Sequence, residues 1–271
     1  MRLGIFAKTF AGSDPLTVMQ AARAAGYDAV QYNMACSGLP AMPDVITTAQ
    51  AQAVTEATRA TGLHVAAVSG TYNMIHPDRR VRETGLRRLG VLIDACAGLG
   101  TGMVTLCTGT RDPDDQWRAH PDNQSPAAWD DLLREMAKAC TLAEARGVRL
   151  GIEPELANVV DSAARARALL DTLQSPVLAI VLDPANLFET APDHGEIIAR
   201  AVDLLAGHIV MAHAKDRAPD GSFVAAGQGV VDFAAFIARL RAAGFDGDLV
   251  THGLSAAEAP GVARVLAEAL A

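Results

Sequence analysis

Short apolar runs alternate with longer stretches of helical period along the whole chain. Eight runs stand out: Leu3–Ala7, Ala29–Tyr32, His64–Val68, Met103–Cys107, Arg149–Glu153, Leu178–Leu182, His208–Ala212 and Asp248–Thr251. Each is rich in Val, Ile or Leu and apolar on both faces, the pattern of a strand in a parallel sheet covered on both sides. The segments after them carry a helical period. They predict helices over Leu16–Ala25, Ala49–Thr61, Arg79–Leu99, Ala127–Arg146, Ser162–Leu173, Glu196–Leu205, Phe233–Ala243 and Ala256–Leu270.

The punctuation agrees with that reading. Gly26, Gly62, Gly100 and Gly147 each follow a helical stretch and precede a strand, where a left-handed closing residue belongs. Asp14-Pro15 and Ser125-Pro126 read as a capping side chain followed by a first-turn proline, and Asp232 can cap the helix that starts at Phe233. Eight strand-then-helix units in 271 residues predict one domain over residues 1–271, a closed (β/α)8 TIM barrel. The competing architecture is a doubly wound open sheet. It usually places a glycine-rich phosphate turn after its first strand, and Lys8-Thr9-Phe10-Ala11-Gly12 is not one. The longest irregular segment, Thr108–Ser125, is expected to be a lid over the barrel mouth, with Arg111, Trp117 or His120 facing the cavity.

Composition narrows the class. The chain is 50% hydrophobic and 20% charged, which excludes a disordered tail, a collagen-like fibre and a disulfide scaffold. Lys and Arg total 23 against 31 Asp and Glu, a net charge of −8, so nucleic acid is not an expected partner. Arg79, Arg80, Arg82, Arg87 and Arg88 lie close together but on a helical pattern, and read as a solvated face. The 4 cysteines fit no CxxC pair and no zinc ribbon, so buried free thiols are expected. No signal peptide is evident, and no run reaches the ~18 apolar residues of a membrane span. A cytoplasmic protein acting on a small molecule is the expectation, with a homo-oligomer left open.

In a barrel of this kind the active site sits at the C-terminal ends of the strands. The fifth to eighth runs end in Glu153, Asp183, His213 and His252. Neighbouring parallel strands are ~4.8 Å apart, so side chains from successive ends can converge on one ion. Two carboxylates with one or two imidazoles suit Mn²⁺, Co²⁺ or Zn²⁺ better than Ca²⁺. Other polar groups near strand ends are candidates for the substrate pocket: Lys8, Asn33, Tyr72, Asn73, His76, Arg111, Trp117, Lys215 and Arg217. They suit a polyhydroxylated or carboxylated substrate. Gly227-Gln228-Gly229 offers backbone amides on which a phosphate could dock. His64 and His208 begin strands at the far end and read as structural, and His194, near a helix start, is expected to be exposed.

Gly151-Ile152-Glu153, Leu182-Asp183-Pro184-Ala185-Asn186, His213-Ala214-Lys215-Asp216 and Gly227–Phe233 together resemble the xylose-isomerase-like barrel superfamily, the sugar phosphate isomerase/epimerase group. The resemblance runs from Gly4 to Gly253. It implies one divalent metal ion (Mn, Zn, Co or Mg) held by a Glu, an Asp, a His and a second Glu. The carry-over gives Glu153, Asp183 and His213. The fourth position falls at or beside His252, where this chain has Thr251-His252-Gly253 in place of a glutamate. Asn186 stands where many sugar epimerases place a histidine, and is counted with the substrate-binding residues.

The resemblance implies a metal-dependent isomerase or epimerase of a sugar, keto-sugar or cyclitol, with an enediolate reached by proton transfer. Glu153 and His252 are the candidate catalytic pair. In the family the two glutamates move protons on opposite faces of the substrate, so loss of the second raises a lyase, a dehydratase or decarboxylase, as the alternative. A non-catalytic binding protein is a further class. The endonuclease IV branch of the superfamily needs several zinc ions and more histidines at strand ends than the 7 in the whole chain supply, and is not expected.

Overall fold

The computed structural model describes residues 1–271. Eight parallel strands close into a barrel: β1 (Arg2–Phe6), β2 (Ala29–Tyr32), β3 (His64–Ser69), β4 (Met103–Leu106), β5 (Arg149–Ile152), β6 (Leu178–Leu182), β7 (Ile209–Ala214) and β10 (Asp248–Thr251). Closure is made at β1, where Gly4 pairs with Ala29 on one side and Val250 on the other. Eight helices ring the barrel: α1 (Pro15–Ala24), α2 (Thr48–Thr61), α3 (Arg79–Leu99), α4 (Pro126–Glu144), α5 (Ala163–Leu173), α6 (His194–Leu204), α7 (Phe233–Ala242) and α8 (Ala259–Leu270). None is long and apolar enough to cross a membrane.

Two apolar clusters hold this architecture. The larger, of 67 buried residues, fills the space between barrel and helices. The smaller, Ala29, Ala66, Ala67, Met103, Val181, Met211 and Val250, fills the barrel interior below the mouth. Space inside is tight: a Cβ on Gly151 would come within 2.7 Å of the Val181 side chain, so β5 needs glycine there. Side-chain caps fix where helices begin. Asp14 accepts from the Thr17 amide, Ser125 from Ala128 and Asp232 from Ala235, each worth about 1 kcal/mol.

The expected strands and helices stand in their expected order, with two local differences. The seventh strand runs to Ala214, so His213 lies inside it and its side-chain direction is set by the sheet. After β7 the chain forms a short antiparallel ladder, β8 (Asp216–Arg217) with β9 (Phe223–Val224), which no apolar run announces. This ladder carries Phe223 to the rim of the barrel.

Candidate metal centre

The four strand-end residues meet. One ligand atom from each of Glu153, Asp183, His213 and His252 lies within 4.8 Å of the others. Donors on opposite sides of one divalent ion with ~2.0–2.3 Å bonds lie ~4–4.6 Å apart, so the set matches a single ion closely.

Local chemistry aims each group. Asp183 follows β6 and is fully buried. Its Oδ1 accepts the Ala185 amide at 2.9 Å, an Asx turn completed by Pro184. That leaves Oδ2 pointing into the site, 3.0 Å from His252 Nε2 and 3.4 Å from Lys215 Nζ. Glu153 follows β5, and its amide still donates to the Leu106 carbonyl, which holds it in sheet register. Its Oε1 accepts from Asn186 Nδ2 at 2.8 Å and lies 3.1 Å from His213 Nδ1. Its Oε2 makes no hydrogen bond within the protein.

His213 is oriented from behind. Gln31 donates from Nε2 to Thr105 Oγ1, which fixes its amide, and its Oε1 then lies 2.8 Å from His213 Nε2. An acceptor there makes Nε2 an N–H and turns Nδ1 toward the carboxylates: protonated, Nδ1 donates to Glu153 Oε1, and deprotonated it would offer its lone pair to an ion. A ligating histidine is normally held this way, its other nitrogen donating to a buried acceptor. Sequence reading missed Gln31; the available signal was one polar residue in the otherwise apolar run Ala29–Tyr32.

The electrostatics are those of a closely coupled cluster. Burial pushes the Asp183 carboxyl up, but Lys215 and His252 outweigh it and hold it well below the usual range. Burial likewise raises Glu153, and His213 overcomes this to hold it low. Burial would depress His213, yet Glu153 and Asp183 keep it above its ordinary value. His252 goes the other way: burial and then His213 lower it, despite Asp183. Lys215 stays charged because Asp183, Glu153 and Glu155 more than compensate its burial. Glu155, another residue that the sequence reading did not single out, is raised to about 7 by burial.

Above this cluster opens a cavity of about 510 Å³. Lys8, Asn33, Asn186, Lys215 and Trp117 line it, together with Glu155 and Phe223. Lys215 Nζ donates to Asn186 Oδ1 at 2.6 Å and sits 3.9 Å from the centre of the Phe223 ring.

Other expected pocket residues are turned away. Arg111 is spent on Asp131, the Ile75 carbonyl and the Ala127 carbonyl, anchoring the base of the Thr108–Ser125 loop. Arg217 donates to the Ala185 and Gly221 carbonyls and stacks on Phe223. Asn73 is a loop organiser, accepting from the Thr110 and Ile75 amides. Tyr72 bonds Glu135, and His76 meets the Pro113 carbonyl beside a neighbouring chamber. Of the loop itself, Gln116 and Trp117 reach the cavity, while His120 caps the turn at Pro121 through its ring nitrogen.

Two further expectations are corrected. The Gly227–Val231 amides are not free for a phosphate: the fully buried Asp216 carboxylate accepts from Gly227, Gly229 and Val231. His194 is not exposed; it is half-buried, between the Ala191 and Val230 carbonyls.

Among curated proteins none matches the chain by sequence. Solved structures do match in fold. An L-ribulose 3-epimerase superposes with a TM-score of 0.78 at 21% identity, over 99% of this chain and 94% of that one. The 3-keto-D-glucoside 4-epimerase YcjR from E. coli gives 0.74 at 19% identity, over 100% and 97%. A D-allulose 3-epimerase from Methylomonas sp., in complex with D-allulose, gives 0.70 at 18%, over 93% and 83%. A family model described as xylose isomerase-like TIM barrel matches residues 19–268, and with the closed barrel this means that the chain belongs to that family.

Proposed function

We propose that the protein is a metal-dependent isomerase or epimerase of a sugar, keto-sugar or cyclitol, acting by proton transfer beside a carbonyl. The observation that carries this reading is the convergence of Glu153, Asp183, His213 and His252 to within 4.8 Å at the floor of a polar cavity. The structural neighbours named as sugar epimerases support the same substrate class.

Glu153, Asp183, His213 and His252 would hold the ion. A divalent ion there supplies Lewis acidity that makes a proton next to a carbonyl removable near neutral pH. Glu153 Oε2, free of hydrogen bonds, is the atom placed to take that proton, while Asn186 and His213 fix the other oxygen. Lys215 and Asn186 present a charged donor and an amide to substrate oxygens, with Lys8 in the same wall. Trp117 and Phe223 form the apolar part of the mouth.

One observation favours a lyase as the second reading. The carboxylate that joins Glu153 in the cavity is Glu155, two residues along the same strand end, and the fourth donor is an imidazole. A site with one well-placed carboxylate base fits abstraction followed by loss of a group as well as abstraction followed by return.

The test is proton exchange in D₂O with Mn²⁺ present, followed by NMR on D-fructose, L-ribulose, D-allulose and 3-keto-glucose. Deuterium should enter at the carbon beside the carbonyl, and Glu153→Gln should slow this by about 10²–10⁴-fold. Exchange at the wild-type rate in Glu153→Gln would remove that residue from the mechanism. A product short of water would replace the isomerase by the lyase.

A further inference from the structure

Beside the reaction cavity lies a second chamber of about 710 Å³, against the N-terminal half of α3. The two share Met42, Thr71, Gln116 and Trp117 in their linings, so the tip of the Thr108–Ser125 loop is a partition rather than an outer wall. Either volume alone falls in the ~300–1,000 Å³ range that takes a small ligand. A single sugar ring on the four-donor site leaves the outer chamber unfilled.

The outer chamber is polar and mixed in sign; Arg88 is held by Asp44, His76 by the Pro113 carbonyl and the Asp78 amide, and Asp112 by two loop amides and Arg118, which leaves the Arg80 guanidinium and the Asp114 carboxylate as its uncommitted charged groups. Balanced charge of this kind does not select an anion. Arg79, Arg82, Arg87 and Arg88 are each ion-paired, whereas Arg80 forms no ion pair and keeps its donors free. Trp117 is 53% exposed although it stands between two cavities, and Val81 beside it is also exposed. An open indole face flanked by donors and acceptors of both signs suits a hydroxylated ring. The C–H face of the ring stacks on the negative π face, and its hydroxyls bond Arg80 and Asp114.

We propose that the outer chamber is a second sugar subsite, and that the substrate is a glycoside of two or more rings. The reacting ring lies over Glu153, and the next ring lies across Trp117 against α3. This rests on the sugar reading of the inner cavity.

Calorimetric titration of the Mn²⁺-supplemented protein tests it, with D-glucose as the one-ring probe and cellobiose, lactose, trehalose and sucrose as two-ring probes. At least one disaccharide should bind about tenfold or more tighter than D-glucose. Thr84→Trp, which fills the outer chamber, should bring that disaccharide down to the D-glucose level and leave D-glucose itself unchanged. Val81→Trp, at an exposed position that lines the outer chamber alone, should also remove the advantage and decides the matter if Thr84→Trp does not fold. The proposal is overturned if no disaccharide exceeds D-glucose, or if a disaccharide keeps its advantage in the folded variants. D-glucose binding without any disaccharide gain would sink the subsite and leave the inner sugar site standing. Failure of all of these sugars to bind would overturn the subsite, while the inner-site reading stands or falls on the exchange experiment with the keto-sugars.

Discussion

Gln31 is the residue whose effect reaches furthest beyond its own contacts. It touches no substrate, yet its Oε1 decides which nitrogen of His213 carries the proton. Gln31→Leu leaves that N–H buried without an acceptor and frees the ring to turn. Zn²⁺ affinity should fall about 10–100-fold, measured by competition with a chelator, with the fold intact by circular dichroism. Unchanged affinity would mean that sheet packing alone orients His213. His252 allows a complementary experiment. An imidazole in place of a carboxylate removes one negative charge from the donor set and favours Zn²⁺ over Mg²⁺. His252→Glu should therefore lower the Zn²⁺-to-Mg²⁺ affinity ratio, while His252→Ala should weaken both ions; metal binding unaltered in both variants would exclude the residue from the donor set. At this scale the sequence was legible where chemistry follows strand position. Glu153, Asp183, His213 and His252 sit at or near successive strand ends, and barrel geometry forces such ends together. It was not legible where direction depends on a partner far along the chain. Nothing in the sequence near Arg111 reveals that Asp131 and two carbonyls claim its guanidinium.

The rim of the barrel is built from elements tied by carboxylates, one fully buried and one half-buried. Asp216 gathers the amides of Gly227, Gly229 and Val231, and a Cβ on Gly229 would collide with the Arg217 carbonyl and with Asp216 itself. The loop between β9 and α7 is thus folded around one anion, which is why its glycines offer no phosphate site. Asp216→Ala removes the acceptor of these three loop amides and of the Arg217 amide, and should cost about 3–5 kcal/mol in urea unfolding; a loss under 1 kcal/mol would contradict this account. On the other side Asp131 of α4 pairs with Arg82 of α3, with Arg111 at the base of the lid and with Arg134. Burial pushes its carboxyl up, but the three guanidinium groups outweigh this and hold it well below the usual carboxylate range. A carboxylate depressed in the fold stabilises at pH above its unfolded value of ~3.9 and gives that stability up as pH falls through its folded value. Asp131→Asn should cost roughly 1 kcal/mol at pH 7 after solvent screening, and the gap to wild type should shrink as pH drops below about 4. A pH-independent gap would assign the loss to packing. Strands and helices were readable because period and caps are local. The β8–β9 ladder was not, because two-residue strands are too short to show a period.

Over the whole molecule, the donors come from β5, β6, β7 and β10, four strands adjacent in the closed barrel. An ion bound there joins the ends of half the barrel wall, and does so only in the folded chain, since Glu153 and His252 lie 99 residues apart along the sequence. Binding to the native state alone stabilises by RT ln(1 + [ion]/Kd), about 2.7 kcal/mol at a hundredfold excess over Kd. For a chain of this size that corresponds to a rise in Tm of roughly 5–10 °C. The two buried carboxylates strengthen the effect. Without an ion their charge is balanced only by Lys215 and whatever proton His213 or His252 carries, an arrangement that costs desolvation on every member. Zn²⁺ or Mn²⁺ should therefore raise the melting temperature of chelator-stripped protein, and excess chelator should reverse the rise. The decisive comparison is the size of the shift in Asp183→Asn, not that variant's own Tm, because removing a buried charge changes the baseline by itself. Loss of most of the shift places the ion among these four strands; a shift equal to wild type's places it elsewhere on the molecule and takes the metal out of the barrel mouth.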